Sequence, residues 1–142
     1  MNTPWLIAID GSEPSLKAVD HAIHEAANSV TKPQIFLINV QAPLSSDITR
    51  FVDGNVVDEF HKEAGDTALA GAKQKLTDAG IPYSAHVLLG EAAPTIVEFA
   101  SDKGCSKIIM GARGLGSVVG LFMGSVATKV LHLSPVPVLL IK

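Results

Sequence analysis

Cysteine is almost missing from this chain of 142 residues. Cys105 stands alone, so no internal disulfide can form and no thiol pair can run redox chemistry; a small core residue is the reading left. Arginine is nearly as scarce, with only Arg50 and Arg113, and the lysines are scattered along a chain of net charge -3. No basic stripe exists to follow a phosphate backbone, which argues against nucleic-acid binding. Charged residues amount to 18%. That is below the usual share of about 25% and points to apolar surface covered by a partner subunit. Long hydrophobic runs are missing too. The uncharged residues around the glycines from Gly114 to Thr128 are too few to span a bilayer. The first residues, Met-Asn-Thr-Pro-Trp, lack the basic segment and apolar stretch of a signal peptide. The expectation is one cytoplasmic domain over residues 1–142, with no membrane and no nucleic-acid partner.

What the chain does contain is a regular alternation. Trp5 to Ile9 is a short apolar run ending in Asp10-Gly11-Ser12, a strand followed by a turn and a helix start. Pro14 falls in the first helical turn, where a missing N–H does no harm. Leu16, Val19, Ala22, Ile23 and Ala26 then recur at helical spacing. Ile35 to Val40 is a second apolar strand. Residues 42–54 are irregular and read as a mobile surface loop. Phe60 to Ala79 is a long helix ended by Gly80, although Gly65 and Gly71 weaken it. Ser84 to Leu89 is a third strand, Glu91 to Lys103 a helix closed by Gly104, and Lys107 to Met110 a fourth strand. A helix opens at Gly124-Ser125, and Pro135 to Ile141 forms a fifth strand. Strands without apolar–polar alternation are buried on both faces. The order therefore predicts an α/β fold with an open parallel sheet and helices on both faces.

The chemistry concentrates after the fourth strand. Five of the twelve glycines lie between positions 111 and 124. Leu115, Val118, Val119, Leu121, Phe122 and Met123 among them argue for a packed loop rather than a linker. Glycines let a ligand approach the backbone closely, and the helix opening at Gly124-Ser125 offers free N–H groups to an anion. If the first and fourth strands are neighbours, Asp10 and Gly111 line one crevice at the carboxyl end of the sheet. The alternative is that the glycines only permit tight turns and close packing. No Walker A pattern is present. Gly114-Leu-Gly116-Ser-Val-Val-Gly120 misses the dinucleotide spacing by one position and follows the wrong strand. A Ser-Gly-Gly-x-Asp-Ser pyrophosphatase loop is absent, because Asp10-Gly11-Ser12 stands there.

Gly111, Gly114, Gly124 and Ser125 stand as Gly, two residues, Gly, nine residues, then Gly-Ser. With Ala-Ile-Asp10-Gly11-Ser12 at one end and Pro135-Val-Pro-Val-Leu-Leu-Ile141 at the other, the chain resembles the universal stress protein family, in its ATP-binding branch. The resemblance implies a Rossmann-like five-stranded sheet of order 3-2-1-4-5 and ATP as ligand. It puts Ala8, Ile9 and Val40 near the adenine, and Met110 and Gly111 against the ribose and α-phosphate. Gly114, Gly124, Ser125 and Val126 would hold phosphates. Asp10 would face the nucleoside and, through water, a Mg²⁺. Arg113 either reaches a phosphate or is a solvated side chain. The resemblance also implies a homodimer or a dimer of dimers, paired through strand residues 136–141.

Other polar residues carry less. His21 and His24 read as exposed or structural, because no acidic or cysteine partner stands out at ligand spacing; His61 and His86 are isolated, and His132 lies near a helix end. Ser117 reads as a turn residue. No Ser-His-Asp set can be assigned. Only Arg113 and Lys129 are cationic near the motif, and fast phosphoryl transfer needs a base and cationic clamps. The expected function is a nucleotide-dependent stress or signalling module with little or slow hydrolysis. The alternatives are a Mg²⁺-dependent ATPase or nucleotide hydrolase using Asp10, and a structural protein whose glycines only pack.

Overall fold

The computed structural model describes residues 3–115 and 123–142. The expectations placed on Ser117 and on the packing of Val118, Val119, Leu121 and Phe122 lie outside those residues. The elements run β1 (Pro4–Ala8), α1 (Glu13–Ala27), β2 (Gln34–Gln41), α2 (Ser46–Thr49), α3 (Gly54–Asp78), β3 (Tyr83–Leu89), α4 (Ala92–Asp102), β4 (Lys107–Gly111), α5 (Ser125–Leu133) and β5 (Val138–Ile141). The five strands form one sheet of order β3-β2-β1-β4-β5, and every pairing is parallel.

Both faces of the sheet are buried, which is why its strands show no alternation. Trp5, Ile7, Ile35, Leu37 and Ile109 pack with Val19 and Ala22 of α1 and with Leu69, Ala72 and Leu76 of α3. Leu6, Ala8, Phe36, Ile38, Ile108 and Met110 form the opposite layer with Ala93, Ile96 and Ala100 of α4 and Ala127 and Val130 of α5. Cys105 is buried in this second layer. Burial pushes its thiol up from an ordinary value near 9 to about 11, against a smaller lowering by the charge on Lys103. The sheet grows in one direction from β1 to β3 and in the other from β4 to β5. The switch lies between β1 and β4.

Several boundaries differ from expectation. Residues 42–54 are not wholly irregular: Ser45 caps the one-turn α2, its side chain accepting from the Ile48 N–H. α3 begins at Gly54, capped by Asp53, six positions before Phe60. Its first turns are exposed, so they carry no apolar period to read. β5 starts at Val138 rather than Pro135, since Pro135 and Pro137 have no N–H to give a ladder. Gly65, suspected of weakening α3, has a packing reason: a Cβ there would collide with both methyls of Val87 on β3. Gly80 and Gly104 follow α3 and α4 with φ of 70° and 65°. Glycine enters such a conformation without strain.

The histidines divide. His21 does have an acidic partner, Glu25 one turn on, at 3.2 Å, and Glu25 also meets Lys107 at 3.0 Å. Lys107 in turn lies 4.0 Å from the ring centre of Trp5. This is an ion-pair cluster beside the β1–β4 pairing. Among the described residues no group of three or more His, Cys, Asp and Glu could hold a metal ion. No helix among them is long and apolar enough to cross a membrane.

Candidate functional site

The carboxyl ends of β1, β2 and β4 open into a cavity of about 250 Å³ at the topological switch. Its walls contain Ala8, Ile9 and Asp10 after β1, and Ile38, Asn39 and Val40 in β2. Residues 110–115 follow from β4, Ala92 and Ile96 from α4, and residues 124–127 from the start of α5. Ser15 of α1 completes the lining. All of the sequence-expected site residues meet here: Ala8, Ile9, Asp10, Val40, Met110, Gly111, Arg113, Gly114, Gly124, Ser125 and Val126. Arg113 is half-buried in the wall.

The backbone around the cavity is held by specific bonds. Ile9 donates to the Ile38 carbonyl at 2.8 Å, carrying the β1–β2 ladder one residue past β1. The Ile9 carbonyl accepts 2.7 Å from the side-chain amide of Asn39, which is buried in β2. Gln41 Nε2 donates to Asn39 Oδ1 at 2.6 Å and fixes the orientation of that amide. Gly11 turns the chain with φ 87°, its backbone packed on Ala68 of α3. Asp10 then faces inward. Its Oδ1 accepts from Ser12 N at 2.9 Å and its Oδ2 from Leu115 N at 3.1 Å. The carboxylate thus clasps the turn after β1 to the segment after β4.

This clasp changes the reading of two motif glycines. A Cβ on Gly114 would collide with Asp10 Oδ2. A Cβ on Gly111 would lie 2.8 Å from Pro14 Cβ and 2.9 Å from Pro14 C and Ser15 N, inside the first turn of α1. Gly111 needs glycine for the fold itself, because backbone atoms of α1 stand in the way, whereas at Gly114 the obstacle is the end of a side chain. Ala112 frames the far side: its N–H donates to Ile141 at 2.7 Å, and its carbonyl accepts from Gly124 N at 2.7 Å.

Helix capping separates the site from the rest of the molecule. Ser12, Ser45 and Asp53 cap α1, α2 and α3 with side-chain hydrogen bonds. α4 and α5 have no such bond, and these two helices bring Ala92 and Ser125 to the cavity. An uncapped helix start leaves N–H donors for an anion, and the helix dipole adds to the attraction. The opposite wall offers apolar surface from Ala8, Ile9, Ile38 and Val40 beside Asp10 and Asn39. The site can therefore take a ligand with a flat apolar part and an anionic part. Asn39, like Ser15, is a polar lining residue that reading the sequence missed. A lone amide inside the apolar run Ile35 to Val40 was its signal.

A doubly wound α/β protein with a crevice between its first and fourth strands is the class defined by this fold and site. The chain belongs to the universal stress protein family, whose model matches residues 1–142. Universal stress protein YxiE of Bacillus subtilis is 34% identical to it over 148 residues, with 100% of both chains covered. Among solved structures, protein MJ0577 of Methanocaldococcus jannaschii superimposes with a TM-score of 0.85 at 25% identity, covering 100% of this chain and 96% of that one. A universal stress protein in complex with cAMP does so with a TM-score of 0.71 at 26% identity, covering 99% and 97%.

Proposed function

We propose that the cavity binds an adenine nucleotide, ATP by preference, and that the protein acts as a nucleotide-dependent stress or signalling module of the cytoplasm with slow turnover at most. The observation that carries this is the uncapped start of α5 facing an apolar crevice at the sheet's switch point. The cAMP complex of a relative with the same fold agrees with the ligand class. Ala8, Ile9 and Val40 form the base-side wall, and Met110 and Gly111 meet the ribose and first phosphate. Ser125 and Val126, with Gly124 before them, receive phosphate on backbone N–H groups, and Gly114 and Arg113 close over it.

Asp10 is the one carboxylate among the described lining residues. A single carboxylate suits Mg²⁺, which keeps several waters and takes most remaining ligands from phosphate. That ion would supply charge neutralisation of the phosphate chain. Asp10 itself holds Ser12 and Leu115 in place. Such a role positions the loop in ground state and transition state alike and does not speed a chemical step. The decisive experiment is to heat the purified protein and identify any released nucleotide, then measure ATP affinity at equilibrium and turnover at steady state. No adenine nucleotide released and no binding at millimolar ATP would sink the reading. Turnover near 1 s⁻¹, an ordinary enzyme rate, would replace it with the hydrolase reading.

The same reading includes a homodimer or dimer of dimers through strand residues 136–141. β5 is an edge strand, its Val138, Leu139, Leu140 and Ile141 are only half-buried, and Leu131 and Leu133 beside it are exposed. An apolar edge of this kind invites pairing. A monomer by light scattering at micromolar concentration would count against it.

A further inference from the structure

Glu91 and Lys129 form an ion pair that bridges α4 and α5. Glu91 sits at the N-cap of α4 but makes no side-chain capping bond. Its Oε1 instead meets Lys129 Nζ of α5 at 2.8 Å. Ala92, the next residue, lines the cavity, as does Ser125, one turn before Lys129 on the same face of α5. Helical side chains lean toward the N-terminus, so the Lys129 arm runs back toward Ser125. Its partner confirms that direction, because Glu91 stands at the start of the neighbouring helix. Both side chains are about two-thirds exposed, at 63% and 65%. Exposed pairs of this kind contribute little, so the cost of exchanging partners is small.

We propose that this pair reads the length of the ligand's phosphate chain: Lys129 leaves Glu91 for the outer phosphates of a di- or triphosphate, while a monophosphate does not reach it. The inference rests on the nucleotide reading of the cavity and adds a discriminator to it. The first phosphate lies against Met110 and Gly111, and phosphate at the α5 start is held by backbone N–H groups, independent of either side chain. Glu91 and Lys129 stand outside the cavity lining, next to Ala92 and one turn beyond Ser125, and each further phosphate extends negative charge toward the Glu91 carboxylate. Lys129 offsets that repulsion only if it is free to turn from Glu91 to the ligand. Removing the lysine leaves the carboxylate facing the chain; removing the carboxylate frees the lysine.

The test is equilibrium titration of AMP, ADP and ATP, with Mg²⁺ chelated, against the wild type, Lys129→Ala and Glu91→Gln. Thermal midpoints serve as a check that the exposed substitutions leave the fold intact. Lys129→Ala is expected to weaken ATP about fivefold while leaving AMP within twofold, and Glu91→Gln to strengthen ATP about threefold. Both effects should shrink at 1 M salt, where screening acts over about 3 Å. A wild type that binds none of the three overturns the nucleotide reading, and this proposal with it. A wild type that binds all three, with Lys129→Ala changing AMP and ATP equally or changing neither, overturns the role of the pair alone.

Discussion

Replacing Gly114 and Gly111 by alanine, one at a time, separates the clasp from the core. At Gly114 the new Cβ collides with Asp10 Oδ2, a side-chain end that can rotate away. Rotation breaks the bond from Leu115 N, now 3.1 Å long. A hydrogen bond to a charged group contributes about 1.5–3 kcal/mol, and this one is open to water, so the lower end applies. If the loop must be clasped to bind, about 1.5 kcal/mol corresponds to roughly tenfold weaker nucleotide affinity. At Gly111 the obstacles are Pro14 C and Ser15 N at 2.9 Å, which are backbone atoms of α1 and cannot swing aside. Overpacking there costs about 1–3 kcal/mol, or a fall of about 3–9 °C in Tm for a domain of this size. Isothermal titration and thermal melts measure the two effects. Gly114→Ala should mainly lose affinity and Gly111→Ala mainly stability. Because the collision at Gly114 is with Asp10 itself, Gly114→Ala should cost little further in an Asp10→Ala background. Strict additivity in that double-mutant cycle would refute the clasp. Gly114→Asp, which also sets carboxylate against carboxylate, should bind more weakly than Gly114→Ala.

The other outcomes follow from single contacts. Gly65→Ala should destabilise by about 1–3 kcal/mol in urea melts through its collision with Val87, and Val87→Ala should restore part of that loss; no recovery would mean the strain lies elsewhere. Asn39→Leu strips the buried Ile9 carbonyl of its 2.7 Å donor and should cost about 1–3 kcal/mol of stability. It should also weaken nucleotide binding, since Ile9 leads directly into Asp10, and unchanged affinity would show that the relay is not needed. Cys105 should resist thiol reagents in the native state. Its pKa is raised from near 9 to about 11 on folding, so the thiolate is disfavoured in the folded chain. Stability is therefore intact below pH 9 and declines as pH rises toward 11. Cys105→Ala should flatten that alkaline slope, and an unchanged slope would assign it to other groups.

The apolar runs from Trp5 to Ile9, Ile35 to Val40 and Lys107 to Met110 were legible as strands because burial on both faces removes polar positions from them. The Gly111–Gly114–Gly124–Ser125 spacing was legible because turns and helix starts impose local rules on residue type. The N-terminal turns of α3 were not legible, since residues 54–56 are exposed and leave no periodic trace. Nor could the sequence say why Gly114 is glycine. Its neighbour is Asp10, whose partner Leu115 is 105 positions away along the chain. Local chemistry is written within one or two turns of chain, so it sets the elements and marks the ligand end of the sheet. The Asp10 clasp, the Asn39 relay and the Glu91–Lys129 pair join residues from different strands and helices. Only the sheet order brings those residues together, because proximity across a doubly wound fold is a property of packing rather than of sequence spacing.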